Sequence, residues 1–473
     1  MFDWLRRMFR RKPSTPSVRG RYDAAGSAED NRRHYENADY LNSAAANSRA
    51  IRGKLVSRSR YEFANSCYLK GMVETVAQDT VGRGARPQVT SADPEFSKAV
   101  ELKFAAWCKE INLAEKMRLM DQAEHVDGEG IGIFFNNPID REGVHLDIRL
   151  VETEMMATPD LWPNTRFRVD GVKYDVFGNP EFYTILHVHP GDDRGFNLWT
   201  YDEIPAENVL HLHRMDRPGQ LRGVPILTPA LTLAPLSRRY TLASVTAAEV
   251  AASIAAVMST SLGPLGQPPE VEEFSTTPIE RGMMMALPEA SNVTQLKAEQ
   301  PTTTYEVFQT ALIRELCRCV HVPLTIALGD SSDSNYASGR LDLQNYVRHV
   351  RIKRSKWETF LNRIYEMWLQ EALLIFGFLP ARPAGDVRCA WIWDGFEHVD
   401  PAKEAQAQEV KLRNNLTTYA EEYAKQGKDW EEQFRQIAKE KALMKELGLE
   451  MAQVAPPTAA PMEGGLRAAN LAA

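Results

Sequence analysis

The hydrophobic period of this chain changes twice, and those two changes bound its architecture more tightly than any other feature. Through residue 120, apolar side chains recur at helical spacing. Tyr61, Ala64, Tyr68, Met72 and Val76 share one stripe, and Phe96, Val100, Phe104 and Trp107 share another within Pro94 to Met120. From Ile131 the period is two: Val144, Leu146, Ile148 and Leu150 alternate with His145, Asp147 and Arg149. Further short runs at 172–177, 182–188, 198–204 and 209–213 are punctuated by Gly, Asn, Pro and Asp, which predicts a mostly antiparallel sheet of short strands. At Thr228-Pro229, a cap residue and a proline suited to a first helical turn, helical spacing returns. The class expected is α+β.

The second half divides further. Between Ala243 and Ala256 seven of fourteen residues are Ala, so a helix over 228–258 has high propensity but little side-chain volume, and suits close packing against copies of itself. That helix is expected to stop near Gly263-Pro264, and residues 263–301 are rich in Pro, Glu and Met and read as a small excursion with short strand-like pieces around Gly282 to Leu287. Thr303 and Glu306 form a capping box for a helix to residue 322, with Tyr305, Phe308, Leu312 and Leu316 on one stripe. Residues 324–340 are polar, contain Gly and Ser, and read as a long exposed loop. The longest helix follows, with Trp357, Phe360, Leu361, Ile364, Tyr365, Trp368 and Leu369 at helical spacing and Gly377 as its stop, spanning roughly 55 Å at about 1.5 Å per residue. Helix starts at Asp400, Thr418 and Asp429 fill 401–450, and Ala, Pro and Gly dominate 451–473, which reads as a disordered tail.

A chain of 473 residues allows about three domains. No stretch approaches the roughly 18 uncharged apolar residues of a membrane span, and the basic N-terminus lacks the apolar region of a secretory signal. Five cysteines, with Cys317 and Cys319 spaced CxC, suit a reducing compartment without disulfides. Residues 1–21 carry seven Arg or Lys against Asp3, a local charge of +6 in a chain of net −7, so the remainder carries about −13. A basic arm over 1–22 is joined to an acidic body.

Motifs for chemistry are sparse. His187, His189, His211 and His213 form two HxH pairs, which with Glu152, Glu154, Asp192 and Asp193 are the best available zinc ligands and the basis of an alternative reading as a zinc-dependent hydrolase or nuclease. There is no HExxH, no GxSxG and no GxxxxGK[ST]. The last absence argues against a nucleotide-driven motor of the common type. Gly82-x-Gly84 and Gly128-x-Gly130-x-Gly132 read as turns, because neither sits between a strand and a helix. Arg348, Arg351, Lys353, Arg354 and Lys356 cluster on the long helix, where helical geometry spreads them over more than one face.

Five ordered blocks together resemble the lambda-like family of tailed-phage portal proteins: RSRYEFANSCYLKGMVETVAQDTVGRGARP (58–87), DGEGIGIFF (127–135), ENVLHLHRMDRPGQLRGVPILTPAL (207–231), HVPLTIALGDSSDSNYASGR (321–340) and WIWDGFEHVDPAKEAQA (391–407). The chain departs from the family's NYSSAR at Asn335 to Arg340 and has no Trp between residues 22 and 60. The resemblance implies a portal-type fold. Its parts would be a wing over 23–227, paired stem helices at 228–258 and 302–322, and a clip at 259–301. A channel loop, long helix and return to the wing would cover 323–400, and a helical crown 401–450. It further implies a closed ring, a dodecamer, at the capsid vertex of the virion, assembled in the host cytoplasm, through which double-stranded DNA passes. Terminase large subunit, head–tail adaptor, and major capsid and scaffolding proteins would be its partners. No membrane, cofactor, metal or catalytic residue is implied. The channel loop would comprise Leu328, Gly329, Asp330, Ser331, Ser332, Asp333, Ser334, Asn335, Tyr336, Ala337, Ser338, Gly339 and Arg340. Glu270, Val271, Glu272, Glu273, Phe274, Arg281, Met283, Met284 and Met285 of the clip would meet motor and adaptor.

Overall fold

The computed structural model describes residues 35–36, 38–139, 143–159, 165, 167–192, 200–252, 256–260, 291–295, 302–332, 336–396 and 401–449. They fall into two compact units whose segments interleave along the chain. Met1–Lys70, Met120–Ile133 and Leu150–Cys319 contribute to the first, and Gly71–Leu119, Phe134–Arg149 and Val320–Ala473 to the second. No described helix is long and apolar enough to cross a membrane, and all five cysteines are free thiols.

The first unit opens with α1 (Ser43–Ala46) and α2 (Arg49–Asn65). At Ser66 the helical path breaks, and α3 (Cys67–Val81) starts anew. The period-two region makes two sheets rather than one. β2 (Glu129–Asn136) lies between β3 (Leu146–Val151) and β8 (Val209–His213), with Ile133 opposite Val209 in the antiparallel β2–β8 ladder. The second sheet runs in chain order through β4 (Arg168–Val169), β5 (Val172–Tyr174), β6 (Pro180–Leu186) and β7 (Tyr201–Pro205), all antiparallel. One apolar cluster joins them: Ile131, Ile133 and Val209 from the first sheet meet Val172, Tyr183 and Ile185 from the second, with Met156 fully buried among them.

Helix returns as α6 (Ala234–Ala252), later than Thr228 because Thr228–Thr232 closes as a 3-10 turn. It also ends earlier than its alanine content predicts. Ala256–Thr260 is a strand, β9, paired residue for residue with β10 (Ser291–Gln295), so the expected helix over 228–258 is corrected at its end. A five-residue ladder that includes β-branched Val257 and Thr260 overrides helical propensity there. α7 (Thr302–Val320) then packs along α6: Tyr305 stacks on Tyr240 at 5.4 Å, and Gln309 Nε2 donates to Ser237 Oγ at 2.9 Å.

The second unit holds the rest of α3, β1 (Arg86–Thr90), α4 (Pro94–Glu110) and the start of α5 (Leu113–Val126). It continues through α8 (Leu324–Leu328), the 39-residue α9 (Tyr336–Leu374) and β11 (Arg388–Ile392), which pairs antiparallel with β1. α10 (Pro401–Arg413), α11 (Tyr419–Lys425) and α12 (Trp430–Glu446) end it. Asp93 caps α4 through the Glu95 N–H, with Pro94 in the first turn, and Phe96, Val100, Phe104 and Trp107 face inward as their spacing predicts. They meet α9, where Phe104 packs edge-on against Trp368 at 5.1 Å and Tyr365 at 5.6 Å.

Charge also holds the first unit together. Arg222 and Glu129 are almost wholly buried, with Arg222 Nη2 2.7 Å from Glu129 Oε2 and Arg222 Nε 2.8 Å from Glu129 Oε1. Arg222 also donates to the carbonyls of Met156 (2.8 Å), Thr153 (3.2 Å) and Asp170. Glu129 also accepts from Thr153 Oγ1 (2.5 Å) and the Gly223 N–H (2.6 Å). Arg52 of α2 pairs with Asp170 beside them. Two glycines make the approach possible: Gly128 has φ +87°, and a Cβ on Gly223 would collide with the Gly128 carbonyl. Burial alone would raise the Glu129 carboxyl, but the Arg222 charge and hydrogen bonds from His211 and Arg222 outweigh it and hold it well below the usual range.

Arg222→Met strands a buried carboxylate and is expected to cost about 3–5 kcal/mol in chemical denaturation at neutral pH. In wild type the folded carboxyl lies below its unfolded value, so this contribution is complete above the ordinary carboxylate range and is lost as pH falls through the folded value. In the variant, desolvation without the cation places the folded value above the unfolded one, so the penalty shrinks on acidification. The gap between the two proteins should therefore narrow from about pH 7 to about pH 4.

Candidate functional site

The segment between α7 and α9 turns polar after Leu328, and its geometry is set by the end of α8. Gly329, with φ +65°, ends α8, its N–H directed at the carbonyls of Thr325 and Ile326. The Asp330 N–H returns to the Thr325 carbonyl at 3.2 Å. The Asp330 carboxylate accepts the Ser332 N–H at 2.9 Å, and hydrogen bonds from the Ser332 backbone and side chain lower its pKa. Asp333, Ser334 and Asn335 lie outside the described residues. The reading of 324–340 as loop is corrected at both ends: Leu324–Leu328 is a helical turn, and Tyr336 to Arg340 belong to α9. Helix continues there because Tyr346 and Val350 extend the buried stripe backward from Trp357, and no proline interrupts the helix between Tyr336 and Tyr346.

None of residues 337–345 is buried, and the first buried side chain of α9 is Tyr346 among the residues whose burial is described. The helix thus runs about 15 Å before it joins the core. Among the described residues this stretch offers Asp330, Asp342, hydroxyls and Arg340, with no converging acid, base and nucleophile among them. Glu270 to Phe274, Arg281 and Met283 to Met285 lie outside the described residues, between β9 and β10.

The five cations clustered between Arg348 and Lys356 of α9 separate by role. Arg348 and Arg351 are exposed, and Lys353 and Lys356 are half-buried. Arg354 is buried and donates to the carbonyls of Asp79 (2.8 Å), Thr80 (3.0 Å) and Asp394 (2.8 Å). It thereby satisfies orphan carbonyls at the end of α3 while its guanidinium lies against the rings of Trp393 and Phe396 at 5.3 and 5.1 Å. Its place on the Tyr346, Val350, Trp357 stripe is the signal that separates it from the other four. Nearby, Gly82 turns the chain with φ +57°, and a Cβ there would sit 2.6 Å from Asp394 Oδ2, the acceptor of the Arg83 N–H. The Gly82-x-Gly84 element is a turn.

The histidine pairs do not converge. His187 Nε2 sits 2.9 Å from Asp202 at the surface. His211 is buried in the first-unit network with Nε2 3.3 Å from Glu129, and His213 stacks on it with ring centroids 4.3 Å apart. Only Glu152, Glu154 and His189 gather, their ligand atoms within 4.8 Å of one another among the described residues. Two observations fit a metal poorly. Arg60 already occupies the carboxylates, 3.1 Å from Glu152, 3.0 Å from Glu154 and 2.7 Å from Asp127. His189 Nδ1 accepts the Gly191 N–H at 3.0 Å, which leaves the proton on Nε2, the nitrogen that faces the carboxylates. The group is a set of three carboxylates gathered around one guanidinium, and it gives the zinc reading no support.

Two outcomes follow. Arg354→Lys keeps the charge but cannot span three carbonyls, and should lower stability by about 1–3 kcal/mol in a denaturant titration. His189→Gln should leave the melting temperature and metal content unchanged, whereas His211→Leu should lower the melting temperature; stoichiometric zinc lost in His189→Gln would contradict the assignment.

With this geometry in hand, comparison with known proteins gives a consistent result. The family model described as phage portal protein, lambda family, matches residues 30–354. The probable portal protein of Halomonas phage phiHAP-1 is 23% identical over 426 residues, covering 84% of this chain and 81% of that protein. Portal protein B of Escherichia phage lambda is 26% identical over 183 residues, 36% of this chain and 33% of its own. Among solved structures, a chain from the neck of an empty gene transfer agent particle computed with C6 symmetry covers 79% of this chain and 94% of its own, at a TM-score of 0.49 and 14% identity. An HK97 family phage portal protein from Corynebacterium diphtheriae covers 63% of this chain and 83% of its own, at 0.29 and 13%. The family match extends over more than half of the chain, from ahead of α1 into α9. The chain belongs to the lambda family of phage portal proteins.

Proposed function

We propose that this chain assembles with copies of itself into a closed ring, a dodecamer, at a capsid vertex of the virion. The ring serves as the channel for double-stranded DNA in packaging and ejection, and has no catalytic activity of its own. The observation that carries the reading is the exposed apolar surface of the α6–α7 pair. Leu236, Leu242, Val245 and Val307 are each more than half exposed on these helices, and Phe308, which meets Tyr240 edge-on, is half exposed. On α6 only Ala234 and Ser237 are buried among the residues whose burial is described, whereas α7 buries Gln309, Ile313, Leu316, Cys317 and Val320. Apolar surface of this kind on paired helices marks an interaction face. The small side chains of α6 let a second pair approach closely, and head-to-tail contacts between different faces close into a ring when the rotation divides a circle.

In this reading 23–227 and part of 323–400 are the wing, 228–258 and 302–322 the stem, and 401–450 the crown. Residues 259–301 are the clip that meets terminase large subunit and head–tail adaptor through Glu270 to Phe274, Arg281 and Met283 to Met285. Capsid and scaffolding proteins meet the outer rim. Leu328 to Arg340 face the channel, carried on the unpacked start of α9. Electrostatics favours passage over grip. A surface that neutralises Z phosphates gains affinity with a salt slope of about −0.9Z, whereas a body of about −13 per copy outside the basic arm repels the duplex.

The test is assembly and packaging. Wild-type protein should give closed rings in negative-stain micrographs, and Leu242→Asp with Val245→Asp should give monomers. Rings lacking residues 1–21 should bind duplex DNA weakly at ordinary salt. A deletion between Asp330 and Asn335 should keep the ring and lose DNA packaging or retention. Rings that form normally with the double Asp variant, or full packaging by the loop deletion, would refute the assignment.

A further inference from the structure

The hairpin joining β5 to β6 ends in a rigid tip. Asp175 Oδ1 accepts the N–H groups of Phe177 and Asn179, both at 2.8 Å, and Oδ2 accepts Asn179 Nδ2 at 2.9 Å. The Asp175 N–H closes the turn on the Asn179 carbonyl at 2.9 Å, and Gly178 supplies φ +91°. On this fixed turn Val176 is 74% exposed and Phe177 86% exposed. Single exposed apolar residues are ordinary, but two adjacent ones on a turn held by four hydrogen bonds form a preorganised apolar knob, whose docking loses little conformational entropy.

The second unit carries a cavity of the opposite form. A cleft of about 610 Å³ opens between α4, α5, α9 and the β11–α12 region. Its lining includes the buried apolar side chains Phe104, Leu113, Met117 and Leu361. Its rim carries Arg83, Arg86, Lys109 and Lys428, all exposed. The acid of the lining, Asp394, already accepts the Arg83 N–H, so the rim is net positive. The knob has the complementary sign through Asp175: Glu181 is paired with Lys173 at 3.0 Å, which leaves the Asp175 carboxylate as the net charge of the tip.

We propose that the knob at Val176 and Phe177 of one copy inserts into the basic-rimmed cleft of the neighbouring copy, so that each subunit both offers a knob and receives one. The inference rests on the ring reading above and deepens it by naming a contact outside the α6–α7 pair. Apolar burial of an aromatic side chain supplies affinity, and the acidic flank against the cationic rim selects orientation. Because knob and cleft are different surfaces, the contact is head-to-tail, as a closed ring requires.

The experiment uses the full chain carrying F177C with K109C, assembled at a protein concentration about a hundredfold above the wild-type half-assembly point so that loss of the aromatic ring does not prevent assembly, and then bridged by a short bismaleimide. The expected result is a ladder of covalent multimers in denaturing gels, with a tryptic product joining position 177 of one chain to position 109 of another. Phe177→Ser, whose side chain supports nothing in its own hairpin, should raise the protein concentration for half-assembly about tenfold or more. Rings that form without the 177–109 link between chains, or Phe177→Ser assembling at the wild-type concentration, would overturn the contact while leaving the ring reading in place. Absence of rings from wild-type protein would remove both.

Discussion

The first unit depends on moving a carboxylate and a guanidinium out of water together. Glu129 opens β2, and Arg222 sits in the connection after β8, far apart in sequence but adjacent in space. Neither charge could be buried alone, since the desolvation of an unpaired ion outweighs what packing returns. Each satisfies the other, and both then collect the free backbone groups around them. The Arg222 fork takes carbonyls from three separate turns, at Met156, Thr153 and Asp170. The pair therefore fixes more than its own two residues. It sets where the two sheets meet, and the apolar cluster of Ile131, Met156 and Val172 forms in the space that remains.

The second unit uses the same device at a helix end. Arg354 answers the carbonyls that α3 leaves unpaired and lies against Trp393 and Phe396. Here one buried cation has backbone dipoles and aromatic faces for partners rather than a single carboxylate. In both units an arginine with a planar set of donors takes a role that lysine could not fill, because the acceptors are several and fixed in direction.

Much of this was legible in the sequence, and the failures have physical causes. Phe96, Val100, Phe104 and Trp107 face inward as spacing predicts, because on α4 apolar character and burial coincide. On α2 they do not. Arg52, Val56, Ser59 and Glu62 face inward while Tyr61 stays outside, since Arg52 pairs with Asp170 and Glu62 with Arg238, and a pattern of hydrophobicity cannot register burial achieved by ion pairing. The α6 boundary was missed because the ladder that ends it draws on Ser291–Gln295, beyond any local window. The start of α9 was missed because Ser, Asn and Gly near Tyr336 resemble a loop in composition, yet helix propagates cheaply from a strong stripe behind them. The histidine pairs misled for a different reason: period two holds within a strand, and His187 and His189 lie beyond the end of β6.

The interleaving of the two units has a consequence for how the chain comes to be folded at all. Each unit is assembled from three segments, and the first is not complete until Cys319 has been made, the second not before the final helices. A ribosome delivers the chain from its N-terminus, so the first unit can close once Cys319 has emerged, while the second must wait for the last helices. Contacts such as Glu129 with Arg222, and Asp79 with Tyr346, join residues separated by long stretches of chain, and their loop entropy must be met before they repay it. Closure of the second unit is therefore slow and comes last. A subunit whose second unit closes only when the chain is whole does not present its full surface while still being synthesised, which keeps nascent chains on one message from joining prematurely.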